Sequence, residues 1–432
     1  MDERSSILQH YLEKLFPLCR SLTGTPNRES LKIIQEIIPL RIHEIPSGRQ
    51  VYDWKVPLEW SINSAYIEDG DGNRIIDFSS SNLHVVSYSQ PVDLRLSWKE
   101  LKKHLHTHST LPEAIPYRTT YYKKNWGFCV THSQYQRLES AKEPLHVAID
   151  SNFKSGSLSY GEYILKGASS KEVLISSYIC HPSMANDSLS GVLLVAFLAY
   201  ELSKLKSLNY TYRFVFVPET IGAISYCHSN EEALKSIDFG FVVTTAGGPG
   251  DFHVKHSFDS QHFINGLVTD VLDEEHVRYK SFPFDIHGSD ERQYSSQAFG
   301  INICTLAKDK YYEYPYYHTS FDDLSFVSGE NINSTLQLYI KIFNRLEELI
   351  FYKSTSTYCE VMLSKHDLYG SAGGSVLPSS DVLSVDDLVL WLLFYCDGNL
   401  PLQTVSSRLG VPLEDLFRVV ELLVSKGLLE RA

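Results

Sequence analysis

Two side chains that could bind a metal ion lie at the end of an apolar segment. Residues 173–180 are typical of a buried strand and His181 comes next, while Asp187 lies just before an apolar helical run that begins at Leu189. Open α/β sheets place ligand sites at the carboxyl ends of their strands, and neutral imidazole and carboxylate are ligands that Zn²⁺ accepts. The segment alone is equally consistent with a structural explanation. In that explanation His181 is a loop histidine, and Asp187 or Ser188 caps the helix.

Two further candidate side chains, one carboxylate and one imidazole, occur later in the chain. Residues 212–217 are typical of a second buried strand, which delivers Glu219, and an aromatic loop that includes Tyr316 carries His318. A carboxylate near a zinc-activated water can take its proton and later pass it to a leaving amine. The alternative is a glutamate that begins a helix and is stabilised by the helix dipole, but the end of a buried strand favours the site.

These residues need a sheet whose strand ends converge, and the rest of the chain predicts one. Strand patterns alternate with helix patterns, which is typical of a mixed, largely parallel α/β sheet covered by helices on both faces. We expect strands at residues 146–149, 157–166, 173–180, 212–217, 239–245 and 301–306. We expect helices at residues 5–20, 28–38, 189–205, 220–235, 257–276, 289–298 and 329–352.

The sequence divides into four segments. Residues 1–45 are predicted to be N-terminal helices of the same domain as residues 145–355, which carry the candidate site. Residues 46–144 contain short β-like runs and a DGDGN hairpin signal, so they predict a small β-rich inserted domain. After a linker-like loop, GSAGGSVLPSS, residues 376–432 show the pattern of a winged helix-turn-helix.

The motifs in combination resemble a known family. A histidine at a strand end, AND-x-x-SG before a helix, a strand that ends in glutamate, and HT-x-x-D are similar to the zinc aminopeptidases, which include bacterial leucyl aminopeptidases and glutaminyl cyclases. The motifs RSLTG at 20–24, PSGRQVYDWKVPLEW from Pro46 and SSYICHPSMANDSLSG resemble one aminopeptidase-like branch of unknown function. That branch has an inserted β-rich domain and a C-terminal winged helix, and the resemblance covers nearly the whole chain.

The resemblance implies a role for each candidate. It implies that His181 binds one metal, that Asp187 is the bridging carboxylate and that His318 binds the second metal. It implies that Glu219 is the general base. It also implies that the region of Arg20 supports one edge of the cleft, so Arg20 would face an acidic substrate group unless it is a plain surface arginine.

The sequence departs from the family pattern at two places. Relatives with two metals carry a second glutamate where Thr220 stands and a further aspartate where Thr244 and Thr245 stand. Two acidic ligands are therefore missing, whereas three protein ligands and a water suffice for a single catalytic zinc. We expect one Zn²⁺ per chain, and decay of metal binding is the alternative. The expected ligands are His181, Asp187 and His318.

A polar segment, HGSDERQY, lies where the family has its Ser-Asp motif. Asp290 or Glu291 could bind a substrate α-amine, and Arg292 could bind a carboxylate or phosphate through its planar fork. His287 could stabilise a tetrahedral oxyanion. An internal salt-bridged turn is the alternative interpretation of these four residues.

Composition limits the partners and the location. The net charge of −13 over 432 residues argues against a general nucleic-acid binder, and residues 376–432 alone carry eight Asp or Glu against four Lys or Arg. We find no uninterrupted apolar stretch of about 20 residues and no signal-peptide pattern, and the seven cysteines suggest free thiols. We expect a cytoplasmic protein without nucleic-acid or membrane partners, and a homo-oligomer remains open.

Three functions fit this sequence. The leading hypothesis is a zinc hydrolase that cleaves an amide bond in a peptide or peptide-like small molecule, in the manner of an aminopeptidase, with Glu219 as general base and a zinc-bound water as nucleophile. The second is an amidase or deacylase that acts on an aminoacyl or acylamino sugar or a secondary metabolite. The third is a non-catalytic binding protein that keeps the cleft. The missing acidic ligands favour the third, and the presence of Glu219 beside three ligands speaks against it.

Overall fold

The computed structural model describes residues 2–368 and 383–432. They form two compact units, Met1–Ile342 and Phe343–Ala432. The linker-like loop at residues 370–380 and the predicted start of the winged helix at residue 376 lie outside the described residues.

The first unit contains most of the strands. In chain order they are β1 (Arg41–Pro46), β2 (Gln50–Val51), β3 (Trp54–Lys55), β4 (Glu59–Glu68), β5 (Arg74–Asp77), β6 (Val92–Leu96), β7 (Leu105–His106), β8 (Phe128–Cys129), β9 (Leu145–Lys154), β10 (Ser157–Leu165), β11 (Glu172–Tyr178), β12 (Thr211–Val217), β13 (Phe239–Val242), β14 (Phe252–Lys255), β15 (Tyr279–Phe282) and β16 (Asn302–Lys308).

The helices of this unit separate those strands. They are α1 (Glu3–Leu15), α2 (Thr25–Gln35), α3 (Trp98–Leu101), α4 (His132–Glu139), α5 (Gly191–Leu202), α6 (Ile221–Ser229), α7 (Glu231–Leu234), α8 (Phe263–Glu274), α9 (Glu291–Tyr294) and α10 (Gly329–Glu347), the last of which continues into the second unit.

One eight-stranded sheet organises the first unit. Its order is β1-β10-β12-β11-β13-β16-β14-β15, and the central strands β12, β11, β13 and β16 are parallel to one another. Every residue of β12 is buried, as expected for a strand that is covered on both faces. The expected α/β architecture, a mixed and largely parallel sheet with helices around it, is confirmed.

The inserted domain has its own sheet and core. Strands β5-β4-β9-β6 form four antiparallel neighbours around a separate cluster of buried apolar side chains. Strand β9 begins where we expected the site-bearing domain to resume, yet it pairs with β4 over most of its length. The predicted boundary at residue 144 therefore falls before a strand of the inserted sheet. The alternating burial along β9 fits a strand with one face on that core.

Three strands of the main sheet were missed, β1, β14 and β15, and several helices are shorter than expected. β14 and β15 contain lysines and a histidine among their apolar residues, which hides the strand pattern, and they extend the far edge of the main sheet. The helix expected over residues 289–298 is the single turn α9, and the helix expected over residues 220–235 is divided into α6 and α7 at Asn230.

The second unit is a winged helix. Helices α11 (Val385–Tyr395), α12 (Leu402–Leu409) and α13 (Leu413–Ser425) pack on one apolar cluster. A small sheet of order β18-β17-β19 accompanies them, with strands β17 (Phe351–Ser354), β18 (Asp397–Pro401) and β19 (Leu429–Arg431). Strand β17 precedes the predicted start at residue 376, so the fold draws on a segment that we had assigned to the preceding domain.

One helical segment, Ala185–Leu202, is long and apolar enough to cross a membrane by length and composition alone. Of its residues, 89% are buried inside the protein. Helix α5, which forms most of it, packs against β11 and β12, so burial in the core accounts for its composition.

Candidate functional site

Neighbouring parallel strands deliver the first two candidates to the same edge of the sheet. His181 follows β11, Glu219 follows β12, and these strands pair in parallel up to Tyr178 and Val217. The imidazole of His181 is 5% exposed, and its Nε2 lies 3.8 Å from Oε2 of Glu219. The expected convergence of strand ends therefore brings a metal-binding side chain next to a carboxylate.

The three expected metal ligands converge. His181, Asp187 and His318 each offer a ligand atom, and these atoms all lie within 4.8 Å of one another. Oδ2 of Asp187 lies 3.1 Å from Nε2 of His318, yet neither atom has a hydrogen-bond partner among the residues that the structure describes. Buried polar atoms without a partner are costly, and two imidazoles with a carboxylate are a donor set for zinc. The residues therefore fit a single zinc ion.

The backbone conformation and a hydrogen bond orient the carboxylate of Asp187. The segment Ala185–Ser190 leads into α5, and Asp187 itself has non-helical dihedral angles, φ −104° and ψ 89°. The hydroxyl of Tyr178 donates to Oδ1 of Asp187, so Oδ2 remains free toward His318. Burial alone would raise the pKa of Asp187, but His181, His318 and Tyr178 outweigh it and lower the pKa to about 2. The carboxylate is thus charged, as a metal ligand must be.

The carboxylate of Asp322 fixes the loop that carries Asp187. It accepts the backbone N–H groups of Asn186 at 2.6 Å and of Asp187 at 2.9 Å. It also accepts the hydroxyl of Tyr314 at 3.0 Å. Because Asp322 follows His318 by four residues, it ties the two ligand-bearing loops together.

The inserted domain supports His318. The backbone N–H of Tyr117 donates to the carbonyl oxygen of His318 at 2.8 Å. The Tyr117 ring lies 5.1 Å from the imidazole of His181 and 5.2 Å from that of His318. The ring of Tyr317 stacks on His318 at 3.9 Å. His318 has a positive φ of 55°, a conformation that the surrounding contacts must maintain.

Glu219 combines access with an unusual charge environment. Its side chain is 29% exposed, close to that of His318 at 28%, whereas His181 at 5% and Asp187 at 0% are buried. Burial, together with the negative charges of Asp290, Asp187 and Glu291, raises the pKa of Glu219 well above its ordinary value. A carboxylate with a raised pKa beside a metal site is suited to carrying a proton.

A second group of potential ligands includes Cys180, His181 and Glu219. Burial raises the pKa of the Cys180 thiol well above its ordinary value, whereas a metal needs the thiolate. The sulfur instead accepts the backbone N–H of Glu219 at 3.3 Å. Cys180 therefore positions the neighbouring carboxylate.

The threonines that replace the missing acidic ligands have different surroundings from the three expected ligands. Thr244 and Thr245 follow β13 and are fully buried, and their hydroxyls have no hydrogen-bond partner within the described residues. The backbone of Thr244 is also approached closely by Gly191, where a Cβ would collide with its carbonyl oxygen. Thr220 has a positive φ of 62° and donates its N–H to Oδ1 of Asp290 at 2.7 Å.

The four residues proposed for substrate contact do not act as one group. Asp290 is buried beside Thr220, and burial raises its pKa to about 7. Glu291 is 2% exposed and accepts the hydroxyls of Thr305 at 3.2 Å and Tyr311 at 3.3 Å. Both carboxylates are therefore buried, Asp290 at 1% exposed and Glu291 at 2%.

The other two lie at the surface. Arg292 is exposed and donates to the carbonyl oxygen of Ile286 at 3.0 Å. His287 is exposed, and its backbone pairs with Asp285 and Lys255. The local hydrogen bonds agree with the alternative of an internal polar turn, and substrate contact by His287, Asp290, Glu291 or Arg292 stays a prediction.

Arg20 is not a surface arginine. It is 1% exposed, and its Nε donates to the carbonyl oxygen of His181 at 3.0 Å. Ser21 and Thr23 of the same motif pair with hydroxyls of the inserted domain, Ser87 at 2.7 Å and Tyr88 at 2.6 Å. The RSLTG motif thus joins the N-terminal helices to the site and to the insert, a role that its turn-like composition did not reveal.

Comparisons with known proteins agree with this geometry. A family model described as "Domain of unknown function (DUF4910)" matches residues 9–349, and a "winged helix-turn-helix" model matches residues 350–431. A Clostridium acetobutylicum protein named "Putative polysaccharide biosynthesis protein with aminopeptidase-like domain" is 39% identical over 410 residues, which are 95% of this chain and 93% of the relative.

Solved structures give the same fold. A crystal structure named "putative peptidase", also from C. acetobutylicum, superposes with a TM-score of 0.81 at 36% identity and covers 100% of this chain and 97% of its own. A zinc aminopeptidase from Bacillus subtilis superposes with a TM-score of 0.58 at 14% identity and covers 80% of this chain and 95% of its own. At that identity the second likeness concerns the fold alone.

Proposed function

This chain belongs to the DUF4910 family and has the zinc-aminopeptidase fold with a C-terminal winged helix, and from that premise we propose that it is a zinc-dependent hydrolase of amide bonds. The observation that carries the proposal is the convergence of three ligand atoms within 4.8 Å beside Glu219. An aminopeptidase that acts on a peptide or peptide-like small molecule is the leading candidate.

The proposed roles follow from the side chains. His181, Asp187 and His318 would hold one zinc ion, which supplies a Lewis acid and makes hydroxide available near neutral pH. Glu219 accepts a proton from the attacking water and later passes it to the leaving amine. Its raised pKa suits it for both transfers, since a carboxylate with an ordinary pKa is a poor acid at neutral pH.

One specific observation favours a second candidate, an amidase or deacylase that acts on an aminoacyl or acylamino sugar. The 39% identical relative is named as a polysaccharide biosynthesis protein with an aminopeptidase-like domain. The same residues would cleave an amide on an amino sugar, because the reaction needs an activated water and a proton carrier in both cases. The two candidates differ in what is bound on either side of the amide.

The experiment is an amide-hydrolysis assay on purified protein of measured zinc content. Aminoacyl p-nitroanilides test the first candidate, and N-acetylated and N-aminoacylated amino sugars test the second. Glu219→Gln is the control, because it keeps the shape of the side chain but cannot accept the proton. Turnover that is lost in Glu219→Gln supports the hydrolase. A protein that holds zinc but cleaves no amide would favour the non-catalytic binding protein.

The location and the partners are also proposals. All seven cysteines are free thiols, which supports a reducing, cytoplasmic location. The acidic winged helix, with eight negative against four positive side chains in residues 376–432, supports a protein-contact role over duplex binding. A salt-dependent, sub-micromolar shift of duplex DNA by the full chain would overturn that role.

A further inference from the structure

A separate pocket lies where two unexplained sequence segments meet. It has a volume of about 600 Å³, and its lining includes Trp54 and Lys55 from the PSGRQVYDWKVPLEW motif and the run of five residues from Thr120 to Lys124, both within the predicted insert. We call it the aromatic pocket and define it by six residues. They are Trp54, Lys55, Tyr121, Tyr122, Lys123 and Lys124. Its volume is within the range of small-molecule sites, about 300–1,000 Å³.

The aromatic pocket adjoins the candidate metal centre. The hydroxyl of Tyr121 lies 2.6 Å from that of Tyr117, whose ring contacts both His181 and His318. The lining of the pocket includes none of the candidate site residues, so Tyr117 and Tyr121 separate a molecule held there from the proposed reaction centre.

The rim of the pocket is positive in an acidic protein. Lys55, Lys123 and Lys124 are exposed, and none has a carboxylate within 4.0 Å among the described residues. Asp53 is the one acidic residue of the lining, so three cations face a single anion, whereas the whole chain carries a charge of −13. Unpaired cations around a concave site attract an anionic ligand.

The aromatic side chains that line the pocket suit a cyclic ligand. Trp54 and Tyr122 meet edge to face at 5.2 Å, and Tyr121 and Tyr122 lie 6.2 Å apart. Aromatic rings offer large apolar faces with polar edges. Gln90 and Thr120 also line the pocket and provide amide and hydroxyl groups that can pair with ligand hydroxyls. Apolar faces together with a few polar groups are typical of sites that fix a cyclic, hydroxylated ligand.

We propose that the aromatic pocket binds a sugar ring that carries a carboxylate or a phosphate, and that this ring is a part of the substrate that Tyr117 and Tyr121 separate from the scissile amide. The proposal rests on the second candidate function, hydrolysis of an amide on a sugar. The aromatic faces stack on the ring, and the three lysines select the negative charge.

Direct binding to the full-length protein tests the proposal without turnover. Calorimetric or NMR titrations would use glucuronate, glucose 1-phosphate and neutral glucose as probes. Both anionic probes should bind in the millimolar range and about tenfold more tightly than glucose, because charge-assisted contacts are stronger than neutral ones. The two anions distinguish a carboxylate from a phosphate. Equal binding of glucose, or no binding of either anion, would overturn the proposal.

Matched variants locate the effect. Lys55→Gln, Lys123→Gln and Lys124→Gln should each weaken the anionic probes about 2–5-fold and leave glucose unchanged, since exposed ion pairs contribute little individually. Trp54→Ala should weaken all three probes about 2–10-fold. Lys206→Gln, an exposed lysine outside the pocket, is the control and should change nothing. Wild-type affinity in all four pocket variants would contradict the assignment.

The Glu219→Gln protein separates this proposal from the proposed function. It should bind the anionic sugars like wild type whether or not the chain cleaves amides. Binding without amide cleavage supports the pocket and counts against the hydrolase. Cleavage of acidic peptides by a protein that binds none of the sugars would instead overturn the pocket assignment and leave the hydrolase intact.

Discussion

Two halves of the same strand edge differ in what they offer to a metal. The histidine half consists of His181, Asp187 and His318, and the threonine half consists of Thr220, Thr244 and Thr245. In the histidine half, a carboxylate oxygen and an imidazole nitrogen are buried and have no hydrogen-bond partner within residues 2–368 and 383–432. In the threonine half, two buried hydroxyls lack partners in the described part of the chain, but a hydroxyl brings no negative charge.

The support behind the two halves differs as well. The histidine half is held by groups from distant segments, including Arg20, Tyr117 and Asp322. In the threonine half the nearby carboxylate of Asp290 is already engaged by the N–H of Thr220. The difference indicates a site built around one ion, because anionic oxygens and the contacts that orient them occur together on one side.

The largest expected effect comes from the ligands. His181→Ala, Asp187→Ala or His318→Ala should each remove the zinc, since a site with three protein ligands retains only two. Elemental analysis of the purified variants measures this directly, with circular dichroism to verify folding. A variant that keeps full zinc occupancy would show that its residue is not a ligand. It would also contradict the distinction between the histidine half and the threonine half.

Glu219→Gln should leave the zinc and reduce the rate. Gln cannot accept a proton, so kcat on any cleaved amide should fall about 10²–10⁴-fold, while zinc occupancy stays near wild type. Both quantities are measured on one preparation. Loss of zinc would make Glu219 a ligand, and unchanged turnover would move the proton transfer elsewhere, with Asp290 or Glu291 as the next candidate.

A smaller effect is expected from the residue that joins the ligand loops. Asp322→Asn replaces an acceptor of two backbone N–H groups by a side chain with a single acceptor oxygen. Zinc affinity should fall about 10–100-fold, as for other groups that orient metal ligands. Competition with a chelator measures the affinity. Asp323→Asn is the control, because Asp323 pairs with Ser325 and Phe326 instead, and equal losses in both variants would contradict the role of Asp322.

The smallest effect is expected in the threonine half. Thr244→Val or Thr245→Val removes a buried hydroxyl that has no partner in the described residues. Zinc content should not change, and the free energy of unfolding should rise by about 1–3 kcal/mol, because the cost of a buried hydroxyl without a partner is removed. Chemical denaturation and metal analysis measure both. A loss of zinc in either variant would place a metal in the threonine half.

The sequence predicts the central strands well because each is a continuous apolar run with a polar residue at its end. His181, Glu219 and their strands are examples. It also places the three ligands through their motifs, and the structure brings them together. The sequence does not predict the neighbours that orient them. Tyr117 and Arg20 lie far from the ligands in the sequence, and a tyrosine in an insert or an arginine in a turn gives no sign of such a role.

Some misjudged elements have physical reasons. Strands β14 and β15 carry charged residues at an edge of the sheet, so they lack an apolar run. The burial of Glu291 against Thr305 and Tyr311 was not evident either, because its neighbours in the sequence are polar. Asp322 is the case in which a signal was present, since it belongs to the HT-x-x-D pattern with His318.

Zinc stoichiometry tests the central claim most directly. The full-length protein, saturated with zinc and then freed of excess by gel filtration, would be analysed for metal per chain. One zinc per chain is the predicted result, and it should disappear in Asp187→Ala. Two zinc ions per chain, both bound tightly enough to survive the column, would contradict the account, because the threonine half would then be holding an ion without the acidic ligands that it lacks.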